Sequence, residues 1–301
     1  MEALGPQKPL HLTTRDEEIL ASVYHYRYVT SLDIAHLLFR PSYMPYVRSR
    51  LARLSGGKDL DENRFLCRFK LPSTEERIFT LGTLGRKFLE TEKGQAVDWF
   101  FRPGKMKFIS YAASLHHLLL SRFLVACQWW CRGRDDMSLL EERISYELAR
   151  VAPTVTLTEQ KKALPLTIIP DAWVLFEKEN RKYAVIFELD RGMEHQAQFK
   201  RHIKGLIELI RSGQYAKIFG VPGVIVSYVT TGQTPQYRNT RVKTMNAWTR
   251  GVLSEMNLMS WAGIFRCTAV EYAHLYKTAG HLFEDAVWLR PDAATPVRLF
   301  D

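Results

Sequence analysis

Two carboxylates two residues apart close an apolar segment in the middle of the chain. The segment reads IFELDRG from residue 186 and carries Glu188 and Asp190 near its end. Side chains two apart on a strand point to the same face, so the pair predicts a shared surface at a strand end. A third acid, Asp171, begins the preceding apolar strand. If the two strands pair as a hairpin, we expect all three carboxylates to come close together.

Three clustered carboxylates would form an oxygen-rich site of the kind that Mg²⁺ or Mn²⁺ prefers. A divalent ion held there can activate water and stabilise charge on a scissile phosphate. The alternative is that acids at strand ends are solvated and bind nothing. The apolar strands behind all three acids favour a genuine cluster.

The elements around these acids alternate between helical and strand patterns. We predict a helix over SLLEERISYELARV, strands over TVTLT, LTIIPDAWVLFE and KYAVIFELD, a helix over EHQAQFKRHIKGLIELIRSG and a strand over GVIVSYVTT. A further helix is expected over TPQYRNTRVKTMNAWTRGVLSEM and a strand over IFRCTAVEYA. This order predicts a mixed-sheet fold of the α/β (α+β) class.

The amino-terminal third has a different pattern. Thr14 and Glu17 form a capping box before a first helix, a second helix starts at Thr30 or Ser31, and a third starts near Pro45. The segments RFLCRFK and ERIFTL then read as a hairpin, so the region predicts a winged helix-turn-helix.

A winged helix can place its third helix in the major groove of DNA while the wing holds phosphates. The predicted DNA-binding side chains are Arg48, Arg50, Arg53, Arg68, Lys70 and Arg77. The alternative for this module is protein docking or dimerisation, with the arginines merely solvated.

The composition agrees with a polyanionic partner. Lys and Arg number 42 against 32 Asp and Glu, which gives a formal net charge of +10. The four cysteines are too few and scattered for a disulfide framework, and no stretch is apolar enough to span a bilayer. We therefore expect a cytoplasmic protein that binds double-stranded DNA and no membrane.

Short motifs in a fixed order also carry a family resemblance. PDAW followed by ELDRG resembles the PD-(D/E)xK nuclease core, and LHHLLLSRF, PDAW, ELDRGMEHQ, VSYVTT and RNTR together resemble the replication-relaxation family of plasmids and mobile elements. The resemblance runs from about Thr14 to about Asn257. It implies a winged-helix domain joined to a nuclease-like domain, acting in replication or transfer of mobile DNA with other proteins of that machinery.

The resemblance assigns roles to particular residues. Asp171 and Glu188 match the two metal-binding acids of the nuclease motif, and Glu142 or Glu147 would match an acid supplied by the first helix. The motif lysine is replaced by Asp190, so Lys200 or Lys204 on the following helix could supply the missing charge, and Arg191 is a second source of positive charge. Whether this site cleaves DNA is open: the alternative is a non-catalytic regulator, or a DNA-contacting subunit of a transfer or transposition complex, with a degenerate nuclease fold.

The domain organisation follows from these assignments. We predict a winged-helix domain over residues 1–102, a connecting long helix over 103–137 with its boundary at Pro103 and Gly104, and a nuclease-like domain over 138–301.

Overall fold

The chain divides into two compact units, Met1–Val125 and Ala126–Asp301, called unit 1 and unit 2 below. The computed structural model describes residues 11–57, 59–61, 63–71, 75–99, 111–159, 162–232 and 234–301. The boundary predicted at Pro103 and Gly104 lies outside these described residues, and the predicted division into 1–102, 103–137 and 138–301 stays a prediction.

Unit 1 combines helices with a small antiparallel sheet. Its helices are α1 (Thr14–Tyr26), α2 (Ser31–Leu38), α3 (Met44–Leu54), α4 (Thr83–Glu92) and α5 (Tyr111–Cys131), which runs past the boundary at Val125. Its strands are β1 (Val29–Thr30), β2 (Leu66–Phe69) and β3 (Ile78–Leu81), in the order β1-β3-β2. The predicted pattern of three helices followed by a hairpin is therefore present.

Capping explains where the first two helices begin. Thr13 caps α1 through a capping box with Asp16, and Thr30 caps α2 through a second box with Asp33. The predicted box of Thr14 and Glu17 was wrong by one residue. On α3, the predicted apolar stripe of Val47, Leu51 and Leu54 is confirmed, because all three side chains are buried.

Unit 2 is built on a mixed five-stranded sheet. Its elements are β4 (Met137–Ile144), α6 (Ser145–Leu148), β5 (Thr154–Glu159), β6 (Lys162–Thr167), β7 (Ala172–Lys178), β8 (Arg181–Asp190), α7 (Gln196–Arg211), α8 (Gln214–Phe219), β9 (Ile225–Thr230), α9 (Pro235–Glu255), β10 (Phe265–Ala269) and α10 (Leu275–Glu284). The strand order is β10-β9-β8-β7-β4, and β5 pairs with β6 as a separate hairpin. The prediction of a mixed helix and sheet fold is confirmed.

The direction of each strand sets which residues meet. Strands β4, β7 and β8 are antiparallel neighbours, whereas β8, β9 and β10 are parallel. Parallel neighbours require crossover connections, which α7, α8 and α9 supply. Trp173, Ile186 and Val226 on the sheet are fully buried, as are Phe199 and Ile203 on α7, and they belong to one core cluster.

Two predictions about local structure were wrong. The segment SLLEERI forms strand β4, and only Ser145–Leu148 is helical within the predicted helix. The predicted strand LTIIPDAWVLFE is two strands, because β6 ends at Thr167 and pairs with β5 before β7 begins at Ala172. In the first case pairing with β7 overrides the local helical pattern, and in the second the two parts of the segment pair with different partner strands.

Strand β4 lies at the edge of the five-stranded sheet. Its pairing with β7 is interrupted between Leu139 and Glu141 by a bulge, and the side chain of Leu140 is 44% exposed there. Across the described helices of the chain, none is both long enough and apolar enough to span a bilayer.

Candidate functional site

The three acids of the predicted cluster lie where β7 begins and β8 ends. Ala172 pairs with Phe187 across the β7–β8 hairpin, so Asp171 lies next to Glu188. The carboxylate of Asp171 accepts a hydrogen bond from the backbone N–H of Leu189 at 2.8 Å. Its backbone carbonyl accepts from Ser145 N at 2.8 Å. The hairpin therefore brings Asp171 and Glu188 together, as expected.

Glu188 is buried and pairs with a histidine from α7. Its Oε1 lies 3.0 Å from Nε2 of His202. Burial raises the pKa of Glu188, whereas His202 lowers it and the neighbouring Asp171 carboxylate raises it. Burial also disfavours the charged form of His202, but the carboxylates of Glu188, Glu194 and Asp171 outweigh it and raise the pKa of His202 to about 9. The imidazole is therefore a cation at neutral pH.

Asp190 is bound by other protein groups. Arg241 from α9 donates two hydrogen bonds to its carboxylate, from Nε at 2.8 Å and from Nη2 at 2.9 Å. Thr230 Oγ1 donates at 2.9 Å and Gly192 N at 3.0 Å. The hydrogen bonds with Asp190 raise the pKa of Arg241. The residue at the motif lysine position is therefore the acid of a buried ion pair.

Two further ionisable groups, Glu194 and Tyr228, interact electrostatically with Glu188. Burial raises the pKa of Glu194, and the carboxylates of Glu188 and Asp190 add to that effect. Tyr228 is the cross-strand partner of Glu188 on β9, and its hydroxyl is buried with no hydrogen-bond partner among the described residues. Burial raises the pKa of Tyr228 well above its usual value, and Glu188 and Glu194 raise it further.

The other residues predicted for this site bind elsewhere. Glu142 on β4 accepts a hydrogen bond from Gln128 at 3.0 Å, and Glu147 on α6 accepts one from the backbone N–H of Ile144 at 2.9 Å. Lys204 binds Glu255 on α9 at 2.8 Å.

The helical periodicity of α7 decides which of its side chains faces Glu188. At about 100° per residue, positions 200 and 204 each lie roughly 160° around the helix from position 202. Lys200 and Lys204 therefore lie on the side of α7 away from Glu188. His202 provides the cation beside Glu188 in their place.

The sequence interpretation missed His202, Glu194 and Arg241. His202 stands between Lys200 and Lys204 in the sequence, and only its position around the helix distinguishes it from them. Arg241 belongs to the RNTR motif, and the parallel β8–β9 pair places the start of α9 near the end of β8.

The hydrogen bonds and ion pairs described above reduce the number of acids available to the predicted metal site. Within the described parts of the chain, no three His, Cys, Asp or Glu side chains are arranged to hold a metal ion. Asp171 and Glu188 remain as two adjacent carboxylates. Mg²⁺ is commonly held by one or two carboxylates and keeps several waters, so a metal site at Asp171 and Glu188 stays a prediction, while Asp190 is already paired with Arg241.

A second site lies on unit 1, between α3 and the β2–β3 strands. A groove of about 520 Å³ is lined by Ser31, Arg48, Ala52, Arg68, Lys70, Glu75, Glu76, Arg77 and Phe79. We call this the basic groove, because four of the six predicted DNA-binding residues line it. Arg48 and Lys70 are exposed and have no ion pair among the described residues.

The other two predicted arginines have an internal role. Arg50 Nε lies 2.9 Å from Asp16 Oδ1, and Arg53 lies 3.1 Å from Asp16 Oδ2. Asp16 is fully buried at the start of α1. Both arginines therefore join α3 to α1, and they do not line the basic groove.

The fold and these two surfaces define a two-unit protein of mixed helix and sheet, with a basic groove on one unit and an acidic strand end on the other. The replication-relaxation family model matches residues 20–225, well over half of the 301 residues. The chain therefore belongs to the replication-relaxation family, as its motifs predict. Family membership indicates a role related to the replication of plasmids or mobile elements. No curated protein and no solved structure gives a significant match.

Proposed function

We propose that unit 1 is a winged-helix module that binds duplex DNA during the replication of a plasmid or other mobile element. The basic groove carries this proposal. Helix α3 follows α2 as the second helix of a helix-turn-helix, and the antiparallel β2–β3 pair lies in the position of a wing.

The exposed side of α3 suits close approach to DNA. Pro45, Arg48, Ser49 and Ala52 recur at spacings of three or four residues, opposite the buried stripe of this helix. Small side chains flank a single arginine on this face, so the helix can lie against the floor of a DNA groove. Arg48 is then placed to reach base edges or phosphates.

The wing adds cations on the other side of the groove. Lys70 directly follows β2, and Arg77 directly precedes β3. Lysine and arginine contacts to phosphates supply most of the sequence-independent affinity of DNA-binding proteins. Binding by this groove should therefore weaken steeply as the salt concentration rises.

The proposal is tested by the duplex affinity of an Arg48→Gln/Lys70→Gln double variant. Each lost phosphate contact lowers the slope of log K against log salt by about 0.9, so the double variant should lose about 1.8 in slope and bind roughly sixtyfold more weakly at about 0.1 M salt. Lys87→Gln is the matched control, because Lys87 is exposed on α4 and does not line the groove. Wild-type affinity and salt slope in the double variant would refute the assignment.

A second candidate function belongs to unit 2. The adjacent carboxylates of Asp171 and Glu188 favour nicking of DNA with Mg²⁺ or Mn²⁺, because a bound ion would stabilise charge on a scissile phosphate. His202 would supply positive charge beside Glu188, and Arg241 neutralises the acid that replaces the motif lysine.

Supercoiled plasmid distinguishes this activity from non-catalytic binding. Metal-dependent conversion to open circles that disappears in Asp171→Ala and Glu188→Ala, with duplex binding retained, supports the nuclease. Intact supercoiled plasmid with both metals, for a protein that binds duplex DNA, supports a regulator or a DNA-contacting subunit of a larger replication, transfer or transposition complex.

A further inference from the structure

An aspartate outside the basic groove contacts two of its four cations. Asp59 lies in the loop between α3 and β2, with Oδ1 at 2.7 Å from Arg68 Nε and 3.7 Å from Arg77 Nε. The backbone N–H of Leu60 donates to the carbonyl of Arg68 at 2.9 Å, which holds the residue next to Asp59 against β2. Asp59 is therefore held beside the wing by the backbone as well as by charge.

The two arginines differ in how accessible they are to a partner. The side chain of Arg68 is 13% exposed, and it also donates to the carbonyl of Gly57. The side chain of Arg77 is 50% exposed and that of Asp59 is 48% exposed. Arg68 is thus largely structural, whereas Arg77 can exchange its carboxylate partner for a phosphate.

The acids that line the groove are not equivalent to Asp59. Glu76 binds the guanidinium of Arg122, which also binds Asp33 at 3.0 Å within unit 1. Glu75 has no ion pair among the residues that the structure describes. Among the acids that the structure describes, Asp59 alone lies within ion-pair distance of Arg68 and Arg77.

We propose that Asp59 is a positioning residue that limits how many phosphates of the DNA backbone the basic groove contacts. This inference rests on the proposed function of unit 1. In the free protein the Asp59 carboxylate lies 3.7 Å from Arg77, so a phosphate that binds Arg77 meets a negative charge that stays nearby and repels it. Exposed ion pairs are weak, so the exchange is possible but unfavourable. Arg48 and Lys70 then make the phosphate contacts, and Arg77 contributes less than its charge allows.

The experiment measures the affinity of the full chain for a labelled duplex of arbitrary sequence across a series of salt concentrations. Asp59→Asn should bind about three- to tenfold more tightly at low salt, and its slope of log K against log salt should be steeper by about 0.9, the value of one added phosphate contact. Asp61→Asn is the matched control: it makes the same charge change two residues away, where Asp61 binds Arg64 at 2.9 Å outside the groove. Its affinity should change by less than about twofold, with the slope unchanged.

The role of Arg77 is tested by combining the substitutions. In an Arg77→Gln background, Asp59→Asn should change the affinity by less than about twofold, because the cation that it releases is absent. The proposal is overturned if Asp59→Asn matches the wild type or Asp61→Asn, or if its full effect persists in the Arg77→Gln background. Thermal unfolding of each variant shows whether unit 1 remains folded.

The two proposals fail in different ways. A wild-type protein that binds no duplex at any salt concentration refutes duplex binding by unit 1, and with it the role of Asp59. A wild-type protein that binds, with affinity reduced by Arg48→Gln/Lys70→Gln but unchanged by Asp59→Asn, refutes the role of Asp59 alone.

Discussion

Replacing Arg241 with alanine should strongly destabilise unit 2. The side chain of Asp190 is only 2% exposed and that of Arg241 is 11% exposed, so their ion pair is largely removed from water. Arg241 also donates to the backbone carbonyl of Glu194 at 2.9 Å, which ties the loop after β8 to α9. Arg241→Ala removes all of these bonds and leaves a buried carboxylate without its counter-ion.

The size of the effect follows from that burial. Removing one partner of a buried ion pair typically costs about 3–5 kcal/mol of unfolding free energy. Thr230 and Gly192 still donate to Asp190, so we expect the lower end, about 3 kcal/mol. For a unit spanning residues 126–301, this corresponds to a fall in Tm of roughly 6–12 °C.

Urea unfolding followed by tryptophan fluorescence measures this loss. Trp248 is a suitable reporter, because the Arg241 guanidinium lies 5.1 Å from its ring centroid, and Trp173 reports on the core of unit 2. Lys243→Ala is the matched control, since it removes an exposed cation two residues away on α9 and should change stability by less than about 0.5 kcal/mol.

A double variant separates loss of the ion pair from loss of packing. Asp190→Asn/Arg241→Gln removes both charges while keeping polar groups of similar shape, so it should be more stable than Arg241→Ala. A loss below about 1 kcal/mol in Arg241→Ala would show that Asp190 does not depend on this partner. A double variant no more stable than Arg241→Ala would refute the buried-charge reasoning.

Three further predictions concern the histidine, a close contact and the α1 cap. The pKa of His202 is about 9 in the folded chain against a usual value of 6.5, so its stabilisation of unit 2 is complete below about pH 6.5 and is lost as the pH rises through about 9. Urea unfolding between pH 7 and 10 should show a fall of up to roughly 3 kcal/mol that is absent in His202→Gln. Gly85→Ala would place a Cβ 2.2 Å from the carbonyl oxygen of Phe65, so we expect a loss of about 2 kcal/mol or more in thermal unfolding of unit 1. Asp16→Asn removes the buried charge that holds two arginines of α3 and should cost unit 1 about 2–3 kcal/mol in urea unfolding; stability equal to the wild type would contradict a structural role for this cluster.

The start of α1 shows how closely local patterns define an element. Both Thr13-x-x-Asp16 and Thr14-x-x-Glu17 fit a capping box, and the sequence alone does not choose between them. The choice depends on Asp16, whose carboxylate binds arginines 34 and 37 residues later. A tertiary ion pair therefore fixes a boundary that helix propensity leaves uncertain by one residue.

Strand β4 shows where the local pattern misleads. Its run of leucine, glutamate and arginine residues has good helix propensity, and Leu140 and Ile144 are one helical turn apart. The segment instead pairs with β7, a strand that begins 28 residues after Ile144 in the chain. The backbone hydrogen bonds offered by that strand determine the conformation, and no local residue signals them.

The sequence predicts the contact between Asp171 and Glu188 in the candidate site, but not the contact between Asp190 and Arg241. Asp171 and Glu188 are brought together by a hairpin whose strands are nearly adjacent in sequence, so the apolar pattern was sufficient to predict their proximity. Arg241 reaches Asp190 across 51 residues, through a parallel strand and a new helix. Contacts of that kind depend on the register of the whole sheet, which the individual strands do not reveal.

The bulge in β4 has a consequence for association between copies of the chain. An edge strand presents unpaired backbone groups to which another strand can add, and such addition is a common route to aggregation. At Leu140 the ladder is interrupted, and Glu141, Glu142 and Arg143 place charges along the same strand. A neighbouring copy would meet an irregular row of donors and acceptors beside charged side chains. We therefore expect the register shift between β4 and β7 to disfavour the addition of a strand from another copy at this edge of unit 2.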